Sequence, residues 1–213
     1  MSFHSSATIV EQVPLGTLAR VLCSWENPSL WNQLSYDGDG SWIRAGLERS
    51  SIVTISDGSY QREVDPLAYS AAFTVKCVLT GFCAQGTWVE RCLSASNYRG
   101  KLLSALGAIL LIKAVLHGYT DQPLPTTEFY CDNMGRIFHT IQPHCPLHEK
   151  QKQSDLLSLI LHLLRELDMV CEIKCHHIDG HLDKILHFNQ LNPIQQENVL
   201  QDSLTKEALT RGV

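Results

Sequence analysis

One long apolar helix set between runs of β-branched residues constrains this chain more than any other feature. The sequence predicts that helix from about Tyr98 to His117, with Leu102, Leu106, Ile109 and Leu110 near one face and Gly118 suited to its C-terminus. Before it stand three predicted strands. The first is Ile52-Val53-Thr54-Ile55, stopped by Asp57-Gly58. The others are Ala72 to Thr80 and Thr87 to Cys92, separated by a turn over Gly81 to Gly86. After it, Pro123 and Pro125 mark a loop, Glu128 to Asp132 reads as a short strand, and Met134 to Ile141 as a short helix. A polar loop over His144 to Gln153 leads into a helix from Ser154 to Leu167, with Ser154 as its cap and Leu156, Ile160, Leu163 and Leu167 as its apolar stripe. Val170 to Ile178 is the fifth strand, and the last helix runs from about Ile194 to Thr210. The order β-β-β-α-β-α-α-β-α predicts an α/β fold, a mixed five-stranded sheet flanked by helices.

The 213 residues suit one domain with a short extension. Residues 1–50 read as that extension: they hold Trp25, Trp31 and Trp42, a turn-rich Tyr36-Asp37-Gly38-Asp39-Gly40, and a short helix around Ser41 to Arg49. Residues 51–213 read as the domain. Met1 followed by an ordinary extension is what a truncated reading frame of a longer polyprotein would show. The net charge of −5 argues against tight autonomous grip on a phosphate backbone, while leaving room for a local basic patch or a neighbouring domain. The apolar stretch from Leu102 to Leu116 is broken by Ser104, Gly107 and Lys113, so no membrane span is expected. The first twenty residues lack a basic run followed by an apolar core. Eight irregularly spaced cysteines then read as reduced thiols in a cytoplasmic or nuclear compartment.

Four polar positions fall where strands end or a helix packs beside them: Asp57, Asp132, His181 and Asp202. Carboxylates at strand ends converge on one sheet edge. Aspartates that cannot neutralise one another suit hard divalent cations such as Mg²⁺ or Mn²⁺. Two such ions about 3.5–4 Å apart can activate water and stabilise a leaving oxygen in phosphodiester cleavage. Taken singly, Asp57-Gly58 is an ordinary turn and Asp132-Asn133 an ordinary turn or cap. Their combination with the element order carries the argument.

In that order the motifs resemble the ribonuclease H domain of retroelement reverse-transcriptase polyproteins. Ser56-Asp57-Gly58-Ser59-Tyr60 resembles the first motif and Cys131-Asp132-Asn133 the third. His177-Ile178-Asp179-Gly180-His181-Leu182-Asp183 resembles the Val-x-Gly-His-x-Asp segment. Asn198 to Lys206 resembles the closing Asn-x-x-x-Asp-x-Leu-Ala-Lys helix, and Tyr36 to Ile43 the usual lead-in. The resemblance spans residues 36 to 210. It implies endonucleolytic hydrolysis of RNA in RNA/DNA hybrids with two Mg²⁺ or Mn²⁺ ions, and an upstream reverse transcriptase domain as a partner. It implies Asp57, Asp132 and Asp202 as metal ligands and His181 as an aid to product release and proton transfer. It also implies Asn133 as a nucleic-acid contact.

The second motif departs from the pattern. The family carries Tyr-Arg-x-Glu-Leu; this chain reads Tyr98-Arg99-Gly100-Lys101-Leu102, with Lys101 in the glutamate's place. No shift of register restores an acid, and Glu90 lies too far upstream. An ammonium there changes the local charge by two units. At a few ångströms and an effective dielectric of about 20, each unit pair is worth roughly several kcal/mol. The long side chain can swing to solvent or set its ammonium on a phosphate. The expectation is weak metal occupancy and strongly reduced cleavage. The rival expectation is a non-catalytic nucleic-acid-binding or structural module with the same fold.

Two further clusters are candidate zinc sites. Cys171, Cys175 and His177 fall in phase on a strand, and His144-Cys145-Pro146-Leu147-His148 lies in a loop. Neither spacing fits a standard zinc pattern, and buried thiols account for the first as simply. Lys150, Lys152, Lys184, Lys206 and Arg211 read as a solvated surface. No Gly-rich phosphate loop or Gly-x-Ser-x-Gly elbow is present.

Overall fold

The computed structural model describes residues 18, 22, 31, 33–117, 119, 123–132 and 151–211. Along the chain run β1 (Leu34–Tyr36), α1 (Ser41–Glu48), β2 (Ile52–Ser59), β3 (Ala68–Cys77), β4 (Cys83–Arg91), α2 (Asn97–Val115), β5 (Thr126–Cys131), α3 (Ser154–Leu167), β6 (Glu172–His177) and α4 (Pro193–Arg211). The strands form one mixed sheet in the order β1-β4-β3-β2-β5-β6. β2, β3 and β4 are antiparallel neighbours, and β5 and β6 join parallel to β2. The expected α/β sheet flanked by helices is present.

Among the described residues it has six strands rather than five. The extra one, β1, comes from the stretch read as extension and pairs antiparallel with β4 at the sheet edge. Leu18, Leu22, Trp31, Trp42 and Leu47 of that stretch are buried in the same core. The strand bounds also differ. β2 continues through Asp57-Gly58, because these residues pair with Ala72 and Ala71 of β3. β3 lies earlier than expected, and β4 begins at Cys83, with Gly86 paired to both Leu34 and Phe73 rather than placed in the turn. Ladder pairing on both sides outweighs the turn preference of single Gly and Asp residues.

Strand alternation sorts the layers. On β3, Ser70 and Thr74 bond α4: Ser70 Oγ donates to the Thr205 carbonyl at 2.7 Å, and Gln201 Nε2 donates to Thr74 Oγ1 at 2.6 Å. Phe73, in opposite phase, stacks on Trp88 at 5.2 Å beside Gly107 of α2. α2 and α4 therefore cover opposite faces. α2 is buried on nearly every side rather than along one stripe, since Leu103, Ala105, Leu111 and Ile112 are also enclosed. The sheet lies against one flank, and α3 packs on the helix through Leu157, Ile160, Leu161, Leu163 and Leu167.

Helix ends follow local chemistry. Ser96 caps α2 by accepting from Arg99 N at 3.1 Å. Asn192 and Gln195 exchange side-chain and backbone bonds at 2.9 and 3.0 Å before Pro193 opens α4. Ser154 does not cap α3. It is the first helical residue, and Gln153 precedes it at φ 61° without a side-chain capping bond. The Gln153 side chain instead accepts from Arg99 Nη1 and donates to the Ser94 carbonyl at 3.1 Å.

Arg99 ties α2 to α3. Its guanidinium donates to both oxygens of Asp155, at 2.7 and 3.1 Å, and to Tyr69 Oη at 3.2 Å. The hydrogen bonds from Arg99 hold the Asp155 carboxyl below its ordinary pKa. Asp155 is more than half exposed, so solvent screens part of this pair. Arg99→Ala should therefore cost about 1–2 kcal/mol, below the full range for charged hydrogen bonds. Urea unfolding of the variant measures it, and an unchanged midpoint would show the clamp to be idle.

Candidate active centre

A glycine contact builds the centre. The position a Cβ would take on Gly58 of β2 lies 2.2 Å from the backbone of both Gly100 and Lys101 on α2. On Gly100 it would lie 2.5 Å from the Ser70 carbonyl oxygen. Only two glycines let helix and sheet approach this closely. The approach sets the first turn of α2 beside the end of β2, and so brings Lys101 to Asp57.

The two expected ligands Asp57 and Asp132 do come together, around Lys101. Lys101 Nζ lies 3.0 Å from Asp57 Oδ1, as an ion-pair contact rather than an aligned hydrogen bond, and it donates to both oxygens of Asp132. Asp132 is the first residue after β5, and Gly180 packs against it: a Cβ there would meet Asp132 Oδ2 at 2.8 Å. The expected swing of Lys101 into solvent does not occur. Its side chain is 7% exposed, as is that of Asp57. A buried carboxylate pair holds the ammonium inside more firmly than hydration draws it out.

The electrostatics have a clear hierarchy. Burial raises the Asp57 pKa above its ordinary value; the Lys101 charge opposes this and the Asp132 charge adds to it. Burial works against the Lys101 ammonium, but Asp57 and Asp132 together outweigh it, and the lysine pKa rises. Lys101 therefore stays charged through the neutral range.

Asp202 and His181 form a second group. Asp202 Oδ2 is paired with Lys206 Nζ one helical turn along α4 at 2.5 Å, and His181 Nδ1 stands 3.9 Å from the same oxygen. The latter is beyond hydrogen-bond length. His181 itself holds φ 58°, a strained conformation for a side chain with a Cβ. Asn133 lies outside the described residues, as do the short helix expected over Met134 to Ile141 and the His144–His148 cluster.

These residues do not fit a two-ion centre. Lys101 occupies the space between the Asp57 and Asp132 carboxylates, and Lys206 takes Asp202. Among the described residues no three His, Cys, Asp or Glu side chains group as a metal-binding cluster. Of the zinc candidates, Cys171 precedes β6, and burial pushes the thiols of Cys171 and Cys175 up to about 12, which disfavours the thiolate a metal needs. A groove of about 690 Å³ does exist, but at the start of α4, lined by Val53, Lys76, Tyr130, Ile194 and Glu197 rather than by Asp57, Asp132 or Asp202.

Sequence reasoning missed Gly58, Gly100 and Gly180 as positioning residues. The signal was present: each glycine adjoins a residue of one of the motifs, at Asp57-Gly58, Gly100-Lys101 and Gly180-His181.

No protein-family model matches this sequence, and no curated relative is similar to it. Solved structures are similar in fold. A ribonuclease H1 isolated from compost, LC11-RNase H1, in complex with an RNA/DNA hybrid superposes with a TM-score of 0.54 at 12% identity, over 76% of this chain and 98% of that one. A second structure of the same compost enzyme gives 0.54 at 11% identity, with the same coverage. The fold is that of ribonuclease H. The ribonuclease H domain of prototype foamy virus is also similar, with a TM-score of 0.49 at 13% identity, over 74% of this chain and 93% of that domain. In the ribonuclease H fold of this chain, no helix among the described residues is long and apolar enough to cross a membrane.

Proposed function

We propose that this chain is a hydrolytically silent ribonuclease H domain of retroelement descent, a module that engages RNA/DNA hybrid without cutting it. One observation carries the reading: the buried Lys101 ammonium is paired with both Asp57 and Asp132. Those carboxylates, with Asp202, are the groups the ancestral hydrolysis of the RNA strand needs for Mg²⁺ or Mn²⁺. Hybrid as the ligand class is supported by the motif order and by the hybrid bound to the compost enzyme of similar fold. The net charge of −5 favours weak autonomous binding, so the grip is assigned in part to an upstream reverse transcriptase domain. The setting assigned is cytoplasmic or nuclear, where thiols such as Cys77, Cys83, Cys171 and Cys175 stay reduced.

The test is a labelled RNA/DNA hybrid incubated with the chain and with Lys101→Glu, in Mg²⁺ and in Mn²⁺, with binding followed in parallel by fluorescence anisotropy. Binding without cleavage is expected for the chain, with cleavage appearing only in Lys101→Glu. Cleavage by the unmodified chain overturns the proposal. Absence of hybrid binding overturns the module reading and leaves a structural role.

A further inference from the structure

At one place inside the protein a buried ammonium stands between two carboxylates. We infer that Lys101 is the resident counter-cation of the Asp57–Asp132 pair, and that with its ammonium in place the stability of this domain does not respond to divalent cations. The inference deepens the reading above and rests on it, but concerns folding and ion binding rather than cleavage.

Three observations converge. Asp57 is 5% exposed, so its carboxylate has left most of its hydration behind and requires a partner. Asp132 faces the same ammonium, so two negative charges would confront each other without it. The ammonium is delivered by a rigid path: Lys101 is the fifth residue of α2, locked to β2 by the Gly58–Gly100 contact, and its own carbonyl accepts from Ser104 Oγ at 2.8 Å. A tethered cation held in this way acts at high effective concentration. A Mg²⁺ ion has to shed strongly bound water to compete, and then finds both Asp132 oxygens engaged and the ammonium beside Asp57 Oδ1.

Asp202 differs. Its partner Lys206 is 45% exposed and sits on the same helix, so that pair can open to solvent. The cation exchange is therefore assigned to Lys101 alone. The chemistry predicts that removing the ammonium turns a cation-indifferent fold into a cation-responsive one.

The experiment is thermal unfolding of the full chain, of Lys101→Gln and of Lys101→Glu, each in EDTA and in millimolar Mn²⁺ or Mg²⁺, without nucleic acid. Any ion that binds only the folded state raises its melting temperature. The unmodified chain is expected to melt at the same temperature in all three solutions. Both variants should melt lower in EDTA, and Lys101→Glu should regain part of the loss in Mn²⁺. A rise of the unmodified chain in Mn²⁺, or variants that melt at its temperature in EDTA, overturns the inference. Should either single variant fail to fold, Lys101→Gln combined with Asp132→Asn removes the opposing charge, and its recovery of folded protein is the expected sign; continued failure to fold counts against it. An unmodified chain that melts higher in Mn²⁺ yet cuts no hybrid overturns this inference alone. One that cuts overturns the proposed function.

Discussion

Gly58→Ala is expected to be the most damaging small substitution in the domain, with a loss of about 3–5 kcal/mol or failure to fold. The added methyl would meet the Gly100 carbonyl carbon and the Lys101 amide nitrogen at 2.2 Å. Both are backbone atoms of α2, so no rotamer change relieves the overlap. The helix must move away from β2, and it carries with it a core packed on nearly every side. Close-packed interiors do not absorb such a shift. The same movement draws Lys101 away from Asp57. A control separates overlap from the loss of a glycine as such. Gly38 sits at φ 59° with no atom within 4 Å of its missing Cβ. Gly38→Ala should cost only about 1–2 kcal/mol, the strain of a left-handed residue. Urea unfolding of both variants gives the comparison, and equal losses would show that the Gly58 contact is not what holds helix to sheet.

The second large effect concerns Lys101→Met. Removing one partner of a buried ion pair leaves uncompensated charge, at a cost of about 3–5 kcal/mol. Methionine keeps most of the side-chain volume, so the loss reads charge rather than a cavity. The deficit should depend on pH, with a definite sign. Burial already raises the Asp57 pKa in the folded state, and the Lys101 charge opposes that rise. Without the ammonium the Asp57 pKa climbs further. A carboxyl whose folded pKa lies above its unfolded value binds its proton more tightly when folded. Its contribution to stability is present at low pH and is lost as pH rises through the folded pKa. Lys101→Met should therefore lie closest to the unmodified chain in mildly acidic solution and furthest from it above neutrality. A pH-independent gap would show that the carboxylates are solvated and that the pair carries little of the stability.

Much of the centre was legible before any coordinate was known. Asp57, Asp132 and Lys101 each stand in a short motif, and motif order along the chain needs no distances. The helix from Ser154 was legible for a similar reason, since its apolar spacing is a local property. What was not legible involved partners far along the chain. β1 looked like part of a linker because three residues carry too little pattern to announce a strand; its pairing with β4, some fifty residues later, creates it. Gly86 looked like a turn because its two ladder partners, Leu34 and Phe73, are remote in sequence. α2 looked amphipathic, and is enclosed on nearly all sides because α3 covers what the sheet leaves open.

Lys101 marks the division most plainly. By itself the sequence determined that a cation replaces an acid at the start of the long helix, and that three aspartates remain at strand ends and on the last helix. It left the direction of a four-carbon side chain open, because an isolated lysine gains more from water than from any one carboxylate. Only the tertiary structure decided that direction. The Gly58–Gly100 contact fixes where the helix begins, β2 and β5 lie side by side in parallel, and Asp57 and Asp132 then meet at one ammonium that is itself shielded from water.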